Sequence, residues 1–191
     1  MRLFVALEIP AGVKAELETL IARLKPLYRA ARWARPEGMH VTLKFIGHEI
    51  ADSDTEKLAA ARAALATVKS AAPVDIQFRG TGFFPDASRP RVIWCGVHAS
   101  ANLAPLVLDL ENKLAPLGIP PEARPFVPHL TLARFKAPEG LSALAREAEK
   151  SAATEFGSSR ETQFHLFESK LNPRGAEYRK IESFAFVRAA A

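Results

Sequence analysis

The sequence predicts a mixed α+β fold made of two similar lobes, and three observations support this. Short segments with alternating polarity, typical of strands, are interspersed with longer segments that have helical spacing of apolar residues. The order strand, helix, strand, helix, strand, turn, strand in the first half largely recurs in the second. One four-residue motif, His-x-Thr-Leu, occurs once in each half, at His40–Leu43 and at His129–Leu132.

In the first half, alternating apolar residues predict strands over 2–9, 39–46, 74–79 and 91–97. Helical spacing predicts a helix over 12–25 and another that runs from the cap residues Asp52–Asp54 to about Ser70. Residues 32–36 are predicted to form a polar connection, and residues 80–90 a turn region rich in glycine and proline.

In the second half, the same criteria predict helices over 101–117 and 141–153 and strands over 129–135, 161–170 and 177–187. A proline-rich loop over 118–128 precedes the second motif, and a turn is expected at 172–175. The recurrence predicts two lobes related by an approximate two-fold rotation. Since no Gly/Ser-rich linker separates them, we expect a single bilobal domain over residues 1–191.

Composition narrows the class of protein. Of the 191 residues, 48% are hydrophobic and 25% charged, and no apolar run reaches the roughly 18 residues that favour a membrane helix. The first ten residues are typical of a strand and not of a signal peptide. Cys95 is the only cysteine, so no internal disulfide can form, and its apolar neighbours indicate a core residue. We expect a cytoplasmic monomer.

The two motifs carry the residue types of acid–base chemistry at a phosphate. In a strand, residues i and i+2 share a face, so His40 lies beside Thr42 and His129 beside Thr131. Two imidazoles can act as a proton donor and acceptor pair, and threonine hydroxyls can stabilise charge on phosphoryl oxygens. No cysteine, carboxylate or third histidine accompanies either motif at a familiar metal-ligand spacing, so we expect no metal and no cofactor. The net charge of +5 suits a polyanionic partner such as RNA.

The chain resembles the 2H phosphoesterases, in particular the RNA 2′,3′-cyclic phosphodiesterases, also called 2′-5′ RNA ligases. The matching segments are Met1–Leu7, Arg32–Trp33, Met39–Gly47, Pro90–Trp94 and Pro128–Arg134. The resemblance implies two antiparallel sheets that face a central cleft, with helices on the outside. It also implies hydrolysis of a terminal 2′,3′-cyclic phosphate on RNA, such as a tRNA fragment, to a 2′-phosphate, and a reversible 2′-5′ ligation of RNA ends.

The resemblance implies roles for individual residues as well. His40 would donate a proton to the departing 3′-oxygen and His129 would accept one from water, although the roles are exchanged if the cyclic phosphate binds the other way round. Arg134 stands where similar proteins keep a phosphate-binding arginine. Strict alternation, however, puts Arg134 on the face opposite His129, so a bulge would be needed for it to reach the cleft.

Other side chains are candidates from their chemistry alone. Phe45, Trp33 and Phe84 could stack on a base, although aromatic residues on strands usually belong to the core. Strict alternation puts Lys44 on the face of His40, although a solvated strand end is its ordinary interpretation. Two alternative functions stay open: a non-catalytic module that binds nucleotides or RNA ends, and a 2H phosphodiesterase acting on small cyclic nucleotides or oligonucleotides.

Overall fold

A computed structural model describes residues 1–136, 139–172 and 175–188 of the chain, and this part contains eleven strands and four α-helices. The strands are β1 (Leu3–Leu7), β2 (Arg32–Trp33), β3 (Val41–Gly47), β4 (Lys69–Ser70), β5 (Val74–Phe84), β6 (Val92–Ala99), β7 (His129–Arg134), β8 (Glu155–Glu161), β9 (Gln163–Asn172), β10 (Gly175–Ala185) and β11 (Val187–Arg188). The helices are α1 (Ala11–Leu24), α2 (Thr55–Leu65), α3 (Leu103–Leu114) and α4 (Ser142–Glu149). None of the described helices is long and apolar enough to cross a membrane.

Two antiparallel sheets form the frame of the molecule, which confirms the predicted fold class. One has four strands in the order β10-β9-β1-β3, and the other has five in the order β2-β7-β6-β5-β8. Each sheet draws strands from both halves of the chain. The hairpin β5–β6 of the first half pairs with the second motif strand, β7, whereas the hairpin β9–β10 of the second half joins the first motif strand, β3, through β1. The lobes are therefore interleaved and do not correspond to successive halves of the sequence.

Strand β1 shows that the four-stranded sheet separates the main core from a smaller aromatic cluster on its other face. Its five residues are all buried, but Leu3, Val5 and Leu7 pack in the main core while Phe4 and Ala6 form a small separate cluster with Phe167. Alternate residues of a strand point to opposite faces, so these clusters lie on opposite sides of the sheet. Helix α3 contacts β3 and α2, and α1 and α4 contact β8 and β5 respectively, which places the helices on the outer faces.

The structure differs from the predicted elements in several short or polar segments, in the length of β5, and in helix α2, which ends at Leu65 and not near Ser70. Strands β2, β4 and β11 have two residues each, too few for alternation to be visible in the sequence. Strand β8 was not predicted because it is a polar edge strand in which only Phe156 is buried. Strand β5 continues to Phe84 through the predicted turn region, because a register shift between Phe78 and Thr81 accommodates Gly80 at a φ of 74°.

Two predictions about single side chains have different outcomes. Cys95 is a fully buried core residue, as predicted, and burial raises the pKa of its thiol to about 12. Lys44, in contrast, does not share the face of His40. Its ammonium is buried on the core side of β3, where it donates to the Glu111 carboxylate at 2.9 Å and to the Pro120 carbonyl at 2.6 Å. Lys44 therefore links the first motif strand to α3 and to the loop that leads into the second motif.

Replacing Lys44 tests this link. We expect Lys44→Ala to reduce the free energy of unfolding by about 3–5 kcal/mol, because it leaves a mostly buried carboxylate without its counter-charge. Chemical denaturation measures the change. The matched control is Arg160→Ala, which removes an exposed ion pair with Asp75 and should cost less than about 1 kcal/mol. Equal losses in the two variants would contradict the structural role of Lys44.

Candidate active site

The two motif histidines are held in the same way. His40 immediately precedes β3, and its Nδ1 lies 2.7 Å from the carbonyl oxygen of Gly38; His129 opens β7, and its Nδ1 lies 2.8 Å from the carbonyl oxygen of Val127. A carbonyl can only accept, so each Nδ1 carries a hydrogen and donates it. In the neutral imidazole, each Nε2 is then free to accept a proton.

A bulge at the last residue of each motif decides which later side chains share the face of the histidine. In β3, Ala6 pairs with Thr42 and Val5 with Lys44, so Leu43 is the extra residue. In β7, Trp94 pairs with Thr131 and Ile93 with Ala133, so Leu132 is the extra residue. The extra residue shifts the alternation by one position.

The shift brings Phe45 and Arg134 to the side of the motif histidines. Both are exposed, whereas Lys44 and Ala133, which precede them, are buried. The bulge required for Arg134 to reach the cleft is thus present. The same device explains why the strict alternation expected for Lys44 was wrong.

The motif threonines remain available to a ligand. Thr42 and Thr131 are half-buried, and within the described residues neither hydroxyl has a hydrogen-bond partner. A threonine hydroxyl can donate one hydrogen bond, for example to a phosphoryl oxygen. The two halves of the site therefore offer the same pair of groups, an imidazole Nε2 and a free hydroxyl.

Electrostatic interactions connect the two motif histidines with Arg134. Burial lowers the pKa of His40 to about 4; the Gly38 carbonyl opposes this shift, while the positive charges of Arg134 and His129 add to it. Burial and Arg134 also lower the pKa of His129, against the effect of the Val127 carbonyl. Since β3 and β7 come within 8 Å of each other at their Cα atoms, Arg134 acts on both imidazoles. These effects favour the neutral form of both imidazoles in the free protein.

Aromatic rings surround the imidazoles unequally. His40 lies 4.7 Å from the ring of Phe4 and 5.0 Å from that of Tyr178, which meets it edge-on. Within the part of the chain that the structure describes, His129 has one such neighbour, Phe84, at 4.9 Å and also edge-on. His40 is consequently the more enclosed of the two, which accounts for the large effect of burial on its pKa.

The structure places two of the three predicted stacking residues on the motif side and the third on the core side. Phe84 contacts His129, and Phe45, which is 45% exposed, lies 6.1 Å from Phe4, so both rings are on the motif side. Trp33 instead packs against the main core, and its indole N–H donates to the carbonyl of Tyr28 at 3.0 Å. Trp33 is therefore not among the rings that face the motif side chains, because its strand presents it to the opposite side.

Three residues beside the motifs were not identified as site residues from the sequence. Phe4 and Tyr178 border His40, and Arg32 is the direct strand partner of Arg134. Alternation along β1 places Phe4 on the motif side, but a search for polar side chains does not select a phenylalanine. Arg32 and Tyr178 reach the site only through pairing between distant strands, for which the sequence contains no local signal.

Comparisons with known proteins agree with this geometry. A family model of the 2′-5′ RNA ligase superfamily matches residues 9–170. A protein of Methanocaldococcus jannaschii named RNA 2′,3′-cyclic phosphodiesterase is 32% identical over 184 residues, which cover 96% of this chain and 100% of the relative. A protein of the same name from Archaeoglobus fulgidus is 32% identical over 186 residues, covering 96% and 99%.

Solved structures share the fold across nearly the whole chain. The crystal structure of a Thermus thermophilus protein, TT0787, matches with a TM-score of 0.77 and 30% identity, covering 97% of this chain and 98% of that one. E. coli LigT complexed with 3′-AMP matches with a TM-score of 0.78 and 25% identity, covering 98% of both chains. The match of the family model over most of the chain, together with these relatives, shows that this chain belongs to the 2′-5′ RNA ligase superfamily.

Proposed function

We propose that the protein hydrolyses the terminal 2′,3′-cyclic phosphate of RNA to a 2′-phosphomonoester by acid–base catalysis with two histidines. The observation that carries the proposal is the matched anchoring of His40 and His129, which frees both Nε2 atoms beside one arginine, Arg134. The names of the relatives support the same substrate class. A module that only binds RNA ends would not need two matched proton carriers.

In the proposed reaction, His129 Nε2 accepts a proton from water as the water oxygen bonds to phosphorus. The bond between phosphorus and the 3′-oxygen breaks, and His40 Nε2 donates its proton to that oxygen. Thr42 and Thr131 donate hydrogen bonds to the non-bridging oxygens, and Arg134 balances their charge. A histidine of the protein carries out each proton transfer, so the scheme requires no metal and no cofactor.

The same groups support ligation. If the 5′-hydroxyl of a second RNA occupies the position of the water, His129 accepts its proton and the product is a 2′-5′ linkage. The strained cyclic phosphate supplies the leaving group, so no nucleotide cofactor is consumed. We propose this reversible ligation as a second activity of the same site.

Two rings are proposed to hold the terminal base: Phe45, which is exposed, and Phe84, which is half-buried. Phe45 and Phe84 lie on the motif side of different sheets, and stacking on an aromatic ring is the usual way in which single-stranded RNA is held without sequence preference. A small cyclic nucleotide would fit the same groups, and it is the second candidate substrate. One domain over residues 1–191, a monomeric state, a cytoplasmic location and tRNA fragments as substrates stay predictions.

The first test removes each histidine. We expect His40→Ala and His129→Ala each to lower kcat by about 10²–10⁴-fold on an RNA that ends in 2′,3′-cyclic phosphate, because each loses one proton transfer. Turnover of the wild type should persist with EDTA. The control is His48→Ala, an exposed histidine just beyond β3, which should retain full activity. An inactive wild type, or full activity in both motif variants, would contradict the proposal.

The second test concerns which histidine is the acid. The product should be a 2′-phosphate, and a cyclic substrate with sulfur in place of the 3′-oxygen should restore activity to His40→Ala, since a thiolate leaves without protonation. The same substrate should not rescue His129→Ala. Rescue of His129→Ala in place of His40→Ala would reverse the assigned roles.

The third test is the pH dependence of kcat/KM, which reports the ionisation of the free enzyme. One imidazole must carry a proton and the other must not, and both pKa values lie below the ordinary value, with that of His40 at about 4. Raising the pH removes the required proton. Above a pH of about 6.5, kcat/KM should therefore decrease, with a limiting slope of about tenfold per pH unit. A plateau that extends to pH 8 would contradict the lowered pKa values.

A further inference from the structure

Arg32 occupies a defined position on the cleft face of the five-stranded sheet. In the pairing of β2 with β7, Arg32 is directly opposite Arg134 and Trp33 is opposite Ala133. The backbone N–H of Ala34 continues this ladder by donating to the carbonyl of Leu132 at 2.8 Å. Trp33 and Ala133 both pack on the core side, so alternation presents Arg32 to the same side as Arg134.

The row that contains Arg32 crosses the cleft face from one side to the other. Its members are consecutive strand partners: Arg32, Arg134, Val92 and Phe84. Phe84 touches His129 at one end of the row, which fixes the face of the whole row as the motif side. Arg32 lies at the other end, one strand beyond the arginine proposed to hold the reacting phosphate.

The two arginines form a pair of like charges on adjacent strands. Both are exposed, and within residues 1–136, 139–172 and 175–188 neither makes an ion pair or a side-chain hydrogen bond. Like charges directly opposite each other in a sheet are destabilising. Two adjacent guanidiniums beside a phosphate-binding site therefore match a ligand with two neighbouring anionic groups.

We propose that Arg32 binds the phosphodiester that joins the terminal nucleotide to the one before it, and so makes the enzyme prefer RNA over mononucleotides. This rests on the proposed function, in which Arg134 holds the cyclic phosphate. The two phosphates of such an end lie on either side of one ribose, and the two arginines lie on adjacent strands, about 5 Å apart at their Cα atoms. A mononucleoside 2′,3′-cyclic phosphate with a free 5′-hydroxyl has only the first of the two charges.

The test compares two substrates that differ in this phosphate: a dinucleotide ending in 2′,3′-cyclic phosphate and the corresponding mononucleoside 2′,3′-cyclic phosphate. For Arg32→Ala we expect kcat/KM on the dinucleotide to fall by about 10- to 100-fold, the loss typical of a charged hydrogen bond. On the mononucleoside it should stay unchanged. Arg32→Lys should keep part of the preference, because it keeps the charge and loses the paired geometry.

The controls separate charge, folding and catalysis. Arg146→Ala removes the same charge from an exposed position on α4 and should leave the preference intact. The thermal midpoint of Arg32→Ala should not fall, since the variant loses a repulsion. For the dinucleotide, the slope of log kcat/KM against log salt concentration should also become shallower by about one. This is the change expected when one phosphate contact is lost.

Each failure has a distinct meaning. If the wild type hydrolyses neither substrate, the proposed function itself fails. If the wild type hydrolyses both but Arg32→Ala leaves the preference unchanged, or lowers kcat/KM on both substrates by the same factor, the role of Arg32 is overturned while the proposed function stands.

Discussion

The extra residue directly after the threonine of each motif determines which later side chains lie beside the motif histidines. The bulges at Leu43 and Leu132 move the next side chains by one position, so that Arg134 and Phe45 join the motif histidines while Lys44 enters the core. Without the bulge, the arginine would lie on the apolar face and its charge would be buried without a partner. The structural unit in each strand therefore spans five or six residues, although the repeat in the sequence covers only His-x-Thr-Leu.

The interleaving of the two halves explains why the site exists only in the complete fold. Each sheet pairs a motif strand with the hairpin of the other half, directly in the case of β7 and through β1 in the case of β3. Neither half can therefore complete a sheet by itself. Lys44 adds a buried link from the first motif strand to the loop before the second, so the separation of the two histidines is fixed by packing as well as by pairing.

Periodicity in the sequence predicted the four helices, the longer strands apart from β8, and the faces of the motif residues. It failed where pairing between distant strands determines the structure. Thr42 and Thr131 lie where alternation placed them, because no bulge intervenes between each histidine and its threonine. Lys44 was assigned to the wrong face because a bulge leaves no local mark in composition. Trp33 and Arg32 could not be assigned to opposite faces, since β2 is a two-residue strand whose orientation comes from β7.

The two motif histidines differ because their surroundings differ, although the motifs themselves match. Rings from β1 and β10 enclose His40, whereas among the described residues the ring beside His129 is that of Phe84, so burial costs the first imidazolium more. Arg134 opposes protonation of both in the free protein. A bound phosphodiester brings a negative charge that offsets the arginine and favours one protonated imidazole. In the proposed mechanism, the substrate itself therefore completes the charge balance of the site, and the catalytic proton is held most firmly when the phosphate is bound.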